Sequence, residues 1–365
     1  MVRIALFVPY PILPADEGGR VRALNLITHL APHHDLLLVT PRSPAYRDAA
    51  IPAHIAETTP PGRLRQILDP GAIAAATWRA VRDFHPDVVV SEYPWPGLRA
   101  ITIARRLHVP FVLDAPNVEG DRFRSTGSRI WRMVDIYERV LARRAAAVFV
   151  VSDDDARRFR ARGVASSTIQ LVPNGVDPAS THPDPAAATT IRRDLGLADS
   201  TKIILFFGQL AYTPNRDALR VIHAELLPRL DRAGLDYVVV AAGKNHEDAM
   251  WTWSHPRLRY TGSVPAIAPY INASDVVAVP ITSGGGTRLK ILESIACATP
   301  VVSTTVGAEG IDRALCGDLL SVVDGWDSFA EALARPRQVK PGNVPAGFLD
   351  MYSWAGIVSR IEWPT

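Results

Sequence analysis

The chain has almost no lysine. Of 40 Lys plus Arg, only Lys202, Lys244, Lys290 and Lys340 are lysine. With abundant Ala and Pro, that bias points to GC-rich bacterial coding rather than to a function. A dominant charge sign is missing too. Net charge is +3 and no basic run tracks a nucleic-acid backbone, so nucleic acid is not an expected partner. The two cysteines, Cys297 and Cys316, exclude a disulfide framework and fit a reducing compartment. No window has the ~18 apolar residues of a membrane span. The N-terminus enters a strand-like run without the charged region and apolar stretch of a secretory leader. These absences predict a cytoplasmic protein. No basic amphipathic helix stands out, so peripheral membrane contact is not indicated. The run Asp153-Asp154-Asp155 follows Ser152 and opens a helix. A helix cap with acids in its first turn accounts for it, and no metal site is expected.

The positive signal is an alternation. A chain of 365 residues suits two α/β domains. Nearly continuous apolar runs at 3–8, 35–39, 87–91, 111–114, 148–151 and 169–172 read as parallel strands covered on both faces. Helical patterns at about 20–30, 73–84, 98–107, 129–145 and 153–162 separate them. A second series comes after these, with strands at 203–207, 237–242, 258–261, 276–279, 301–304 and 319–322. Its helices fall near 216–231, 267–273, 289–296 and 328–334, and a last helix near 353–361. The expected division is a first Rossmann-like domain over 1–175, a connection over 176–200, a second Rossmann-like domain over 201–348, and a C-terminal helix within 349–365 that packs on the first domain. Ligands bind at the carboxyl ends of strands in such sheets.

The most informative segment comes after the strand at 276–279. It reads Gly284-Gly285-Gly286-Thr287-Arg288-Leu289-Lys290-Ile291-Leu292-Glu293. The glycines let backbone approach a ligand. A helix begins at about Thr287, and its first amides favour an anion. Arg288 and Lys290 stand in that first turn, where the helix dipole alone disfavours cations by ~0.3–1 kcal/mol each. A diphosphate would satisfy both charges and the amides. Glu293, five residues after Arg288, suits a ribose diol. The loop is not a P-loop and lacks Gly-x-Gly-x-x-Gly, which weighs against a dinucleotide oxidoreductase.

This loop, with Tyr260-Thr261-Gly262-Ser263-Val264 before it and Thr299-Pro300-Val301-Val302 and Gly307-Ala308-Glu309-Gly310 after it, resembles the donor half of retaining family 4 (group 1) glycosyltransferases. Phe206-Phe207-Gly208-Gln209-Leu210, Pro214-Asn215, Val172-Pro173-Asn174-Gly175, Asp114-Ala115-Pro116-Asn117-Val118-Glu119 and Glu17-Gly18-Gly19-Arg20 are similar to other family segments. The resemblance implies the GT-B fold, two facing Rossmann-like domains with a C-terminal helix crossing back to the first. It implies transfer, with retention, of a sugar from a UDP-, GDP- or dTDP-sugar to a hydroxyl of a small-molecule, glycan or lipid-linked acceptor. The leaving phosphate would assist, and no metal or other cofactor would be required. The donor would contact Gly208, Asn215, Gly262, Val264, Gly284, Gly285, Gly286, Thr287, Leu289 and Glu293, with Gly18 and Gly19 close to the diphosphate or sugar. Asp16, Glu17, Tyr93, Asn117 and Glu119 would lie on the acceptor side.

The sequence departs from the family in three places. Gly285 stands where a sugar-contacting Glu is usual, and Pro116 where a His is usual. The basic pair that commonly follows the glycine at 208 is absent. Arg288 and Lys290 are therefore expected to hold the departing diphosphate as the catalytic groups. A nucleotide-sugar epimerase and a non-catalytic nucleotide-sugar-binding protein stay open as alternatives. The base, the sugar, the acceptor and the oligomeric state are not legible.

Overall fold

The computed structural model describes residues 1–15, 17–47, 49–58, 74–244, 253–335 and 343–364. The chain divides into two compact units. Unit 1 is Met1–Asn174, Gly285–Thr287 and the segment from Trp354; unit 2 is Gly175–Gly284 and Arg288–Ser353.

Unit 1 is built on strands β1 (Arg3–Phe7), β2 (Asp35–Pro41), β3 (His54–Thr58), β4 (Val88–Glu92), β5 (Phe111–Ala115), β6 (Ala147–Val150) and β7 (Ile169–Leu171). All pair in parallel, in the order β3-β2-β1-β4-β5-β6-β7. The intervening helices are α1 (Gly18–Leu30), α2 (Ala75–Phe84), α3 (Gly97–Leu107), α4 (Glu119–Ser125), α5 (Trp131–Ala142) and α6 (Asp153–Ala161). β4, β5 and β6 are buried at every residue, which is why their sequences are largely apolar runs rather than alternating ones, with Ser91, Glu92 and Asp114 as the polar exceptions. The sequence pattern does not predict β3 or α4. Half-exposed β3 lacks a continuous apolar run, and seven-residue α4 is too short to show a period.

A buried ion pair lies inside this core. Asp114, on β5, is 2% exposed. Arg22, on α1 and 1% exposed, grips it through Nη2–Oδ1 at 2.8 Å and Nε–Oδ2 at 3.2 Å. The guanidinium also donates to Val172 O, Pro173 O and Asn174 Oδ1. Its five N–H donors are thereby used.

Unit 2 has strands β8 (Lys202–Phe207), β9 (Tyr237–Ala242), β10 (Leu258–Gly262), β11 (Val276–Val279), β12 (Val301–Ser303) and β13 (Leu320–Val322), parallel in the order β10-β9-β8-β11-β12-β13. Its helices are α7 (Pro185–Asp194), α8 (Thr213–Val221), α9 (Leu227–Arg232), α10 (Ala268–Ala273), α11 (Leu289–Ala296), α12 (Arg313–Cys316), α13 (Trp326–Ala334) and α14 (Phe348–Tyr352). The stretch 176–200, expected to be only a connection, holds α7. Asp184 caps it by accepting from Ala186 N and Ala187 N, and Pro185 suits its first position. The helix expected at 216–231 is interrupted by a π segment over Ile222–Leu226, just before Pro228. The last helix is two: α14 in unit 2 and α15 (Trp354–Ser359) in unit 1, parted at Ser353. Trp354, Ile357 and Val358 of α15 join the core formed by Ile4, Leu6, Leu26 and Ile27.

The Arg22–Asp114 pair yields a prediction. Asp114→Ala leaves a buried guanidinium unpaired and should destabilise unit 1 by ~3–5 kcal/mol. Denaturant unfolding of the full chain should show the loss; an unmoved midpoint would contradict the role given to the pair.

Candidate functional site

Both sheets reverse their strand order once, and loops part at that point. In unit 1 the reversal lies between β1 and β4, and in unit 2 between β8 and β11. The candidate site residues cluster after those strands and at the starts of nearby helices.

In unit 2, β8 ends in Phe206-Phe207, and Gly208 comes next at φ 134°. A Cβ there would stand 3.2 Å from Asn215 Nδ2 and 3.5 Å from Lys290 Nζ. Asn215 is buried on α8, donates to Gln209 O at 2.9 Å and accepts from Lys290 Nζ at 2.9 Å. The Lys290 ammonium also lies 4.3 Å from the Phe206 ring centroid. The structure thus brings Gly208, Asn215 and Lys290 together. Burial, with Arg288 as a neighbouring positive charge, pushes Lys290 down to about 7. Glu293, one turn along α11, is pushed up to about 7 by burial, against the pull of Lys290.

Arg288 precedes α11 as its N-cap residue, so the helix starts at Leu289, later than expected. Its Nη2 donates to Gly284 O at 2.9 Å, folding the guanidinium over its own loop. Gly284 and Gly286 have φ of 97° and 81°. Thr287 Oγ1 is buried and has no hydrogen-bond partner among the described residues. Within unit 1, Gly286 lies against Asn117; a Cβ there would be 2.3 Å from Asn117 Oδ1. At Gly285 a Cβ would meet only Asn117 Oδ1, at 4.0 Å. Gly262 and Val264 lie at the end of β10 and just after it, at the sheet edge. Gly262 O accepts from Gly243 N at 2.9 Å, and Gly243 packs on Gly208. No described contact joins Gly262 or Val264 directly to residues 284–293.

In unit 1, Gly18 and Gly19 open α1, and Glu17 precedes it as an exposed N-cap residue that makes no side-chain cap bond. Asp16 lies outside the described residues. A Cβ on Gly19 would stand 2.7 Å from Tyr10 Oη and 3.3 Å from Tyr93 Oη. Tyr93 comes directly after β4 in the left-handed region at φ 61°, a conformation few non-glycine residues hold. Its ring meets Tyr10 edge-on at 6.1 Å, and its Oη lies 3.5 Å from Asn117 Nδ2. Glu119, expected beside Asn117 as a polar group for the acceptor, is instead fully buried and bound by Arg122 through two N–H donors at 2.6 and 2.9 Å.

The centre of this cluster is a residue that no sequence motif marks. Glu92, the last residue of β4, is 1% exposed. Its Oε1 accepts from Tyr10 Oη at 2.7 Å, and its Oε2 is buried with no hydrogen-bond partner among the described residues. Burial and nearby Asp114 push it up to about 8, with Tyr10 and Arg22 pulling the other way. That shift favours the protonated carboxyl at neutral pH. Its place at a strand end beside Tyr93 is the signal that sequence offers.

The family model for Glycosyl transferases group 1 matches residues 201–336, and that for Glycosyltransferase Family 4 matches residues 17–180. The chain belongs to the group 1, family 4 glycosyltransferases. A D-inositol 3-phosphate glycosyltransferase of Kineococcus radiotolerans is 30% identical over 64% of this chain and 57% of its own length. A GDP-mannose-dependent alpha-(1-6)-phosphatidylinositol monomannoside mannosyltransferase of Mycolicibacterium smegmatis is 27% identical over 61% of this chain and 64% of its own. The chain thus spans less than two thirds of these curated relatives. Anabaena HepE, solved in complex with UDP and glucose, superposes with a TM-score of 0.74 at 17% identity, over 99% of this chain and 98% of that one. The likeness shows the GT-B fold that the family shares.

The geometry generates two predictions. Gly285→Ala should leave stability within ~0.5 kcal/mol of the parent, whereas Gly286→Ala should lose at least ~1–2 kcal/mol to left-handed strain alone; thermal melts of both variants compare them. The second concerns Glu92. Its folded pKa of about 8 exceeds its ordinary 4.5, so its contribution to stability is full below 4.5 and lost as pH rises toward 8. Glu138, also raised to about 8, adds a similar slope in parent and variant alike. Glu92→Gln should therefore gain stability relative to the parent between pH 5 and 8. A constant difference would show that Glu92 is already ionised.

Proposed function

We propose that this chain transfers a sugar from a nucleoside-diphosphate donor to an acceptor hydroxyl, with retention at the anomeric carbon. The buried Lys290 ammonium carries the reading. It has one side-chain oxygen, Asn215 Oδ1, and an aromatic face as partners, and no carboxylate within ion-pair distance among the described residues. A cation so placed at a glycine-flanked helix start gains most from an anion. The donor diphosphate would occupy that place, with the Thr287 hydroxyl and the first amides of α11 as further donors. Glu293 would take the ribose.

In the reaction the bond between the anomeric carbon and the diphosphate oxygen breaks, and the acceptor oxygen bonds to the same carbon. The acceptor proton passes to the leaving phosphate. Charge grows on that phosphate, and Lys290 stabilises it more in the transition state than in the bound donor. Arg288 shapes the loop through Gly284 O and adds positive field. On unit 1, Glu92, Tyr10, Tyr93 and Asn117 are all uncharged at neutral pH and offer several hydrogen bonds at one place. That chemistry suits hydroxyls of a sugar or polyol. An epimerase would want a carboxylate facing the sugar ring, and Gly285 supplies none.

The test combines product analysis with proton linkage. Incubation with UDP-, GDP- and dTDP-sugars and a panel of polyol acceptors should give a glycoside of retained configuration by NMR. Lys290→Ala should lower kcat by ~10²–10³. Binding a diphosphate keeps Lys290 protonated, so nucleotide affinity should fall about tenfold per pH unit above 7. Lys290→Ala should flatten that slope. Unchanged turnover and an unchanged slope in the variant would overturn the assignment.

A further inference from the structure

Seven large apolar side chains stand exposed among the described residues, and four of them, Ile130, Met133, Ile136 and Val140, belong to α5 and its N-cap. Their exposures are 43, 50, 58 and 42%. At 100° per residue, Met133, Ile136 and Val140 fall within about 60° of one another. The opposite side of α5 is also apolar, with Val134, Leu141 and Ala142 buried in unit 1. A helix apolar on two sides hides its amphipathic character in sequence, which is why no basic amphipathic helix stands out there.

The exposed stripe is set among arginines. Arg129, Arg132, Arg143 and Arg144 are exposed. Arg124 and Arg132 lie 5.3 and 4.8 Å from the Trp131 ring centroid at the start of the helix. Residues 125–146 contain two carboxylates, Asp135 and Glu138. Asp135 is paired with Arg162 at 2.8 Å. Glu138 is buried and accepts from the amides of Glu119 and Gly120. Neither opposes the arginines at the surface.

We infer that the α5 face docks on an anionic lipid surface. Apolar side chains flanked by Arg, with a Trp at one end, match the acyl boundary and the charged headgroups of such a surface. A second copy of this face would bring like charges together, which disfavours self-association. Docking would also place the site. Glu138 of α5 holds the start of α4, and α4 begins two residues after Asn117. The acceptor-side loop is thus tied to the docking helix, an arrangement suited to acceptors carried in a membrane.

Flotation of the full chain with vesicles tests this. Binding to phosphatidylcholine vesicles containing phosphatidylglycerol should exceed binding to phosphatidylcholine alone by about tenfold or more, and should weaken with salt. Met133→Ser with Ile136→Ser should reduce binding about tenfold while the melting temperature and nucleotide binding stay at parent values. Arg132→Glu with Arg143→Glu should remove the preference for anionic lipid. The proposal is overturned if the parent stays unbound to anionic vesicles at low salt, or if the apolar double variant binds as the parent does. It is equally overturned if the parent ignores vesicles and self-associates in a way that the double variant abolishes. Nucleotide binding and vesicle binding are read separately, so failure of one leaves the other standing.

Discussion

Parallel strands buried on both faces leave little room for polar side chains except at their ends. That constraint organises both units. β8 and β9 are buried at every residue, as are β4, β5 and β6, so chemistry is displaced to strand ends and the loops beyond them. Where strand order reverses, successive loops diverge and leave space. Tyr10, Glu92 and Tyr93 gather at one such point, and Gly208, Asn215 and Lys290 at the other. Asp114 inside β5 is the informative exception. It is tolerated because Arg22 directs all its donors to that carboxylate and to the backbone and Asn174 at the end of unit 1.

Much of this is legible in sequence because continuous burial writes continuous apolar runs. The loop at 284–293 is legible for a different reason: cations at a helix start conflict with the dipole, and a conflict calls for a ligand. Glu92 is not legible, because the groups that define it are distant in the chain. Tyr10 is 82 residues away, and the Asp114 and Arg22 charges reach it only through the sheet register. Glu119 misleads for the converse reason. Its partner Arg122 is only three residues on, and that local pairing withdraws it from the site. For α5, the pattern shows apolar residues on two sides but does not say which side the unit buries.

The structure also sharpens the charge argument. In sequence, Arg288 and Lys290 are two equivalent cations near a diphosphate. In the fold they differ. The Arg288 guanidinium is turned onto Gly284 O and acts on loop shape. The Lys290 ammonium is enclosed by Asn215 and the face of Phe206, beside a glycine that lets a ligand's oxygen approach. An enclosed ammonium with no carboxylate at ion-pair distance among the described residues carries a desolvation cost when no anion is bound, which an anion relieves.

That cost explains why a lysine stands there in a chain that otherwise uses arginine. Forty basic residues include four lysines, and one of them is the buried residue at the helix start. A guanidinium in the same enclosure would keep its charge at any accessible pH and carry the full desolvation cost whenever no anion is bound. An amine can release its proton in the free enzyme and hold it when phosphate oxygens arrive. Pushed down to about 7, Lys290 would make the free site tolerable and, with the proposed diphosphate bound, the site cationic. On the proposed reading, the choice of lysine would be part of how the site gains more from a diphosphate than from water.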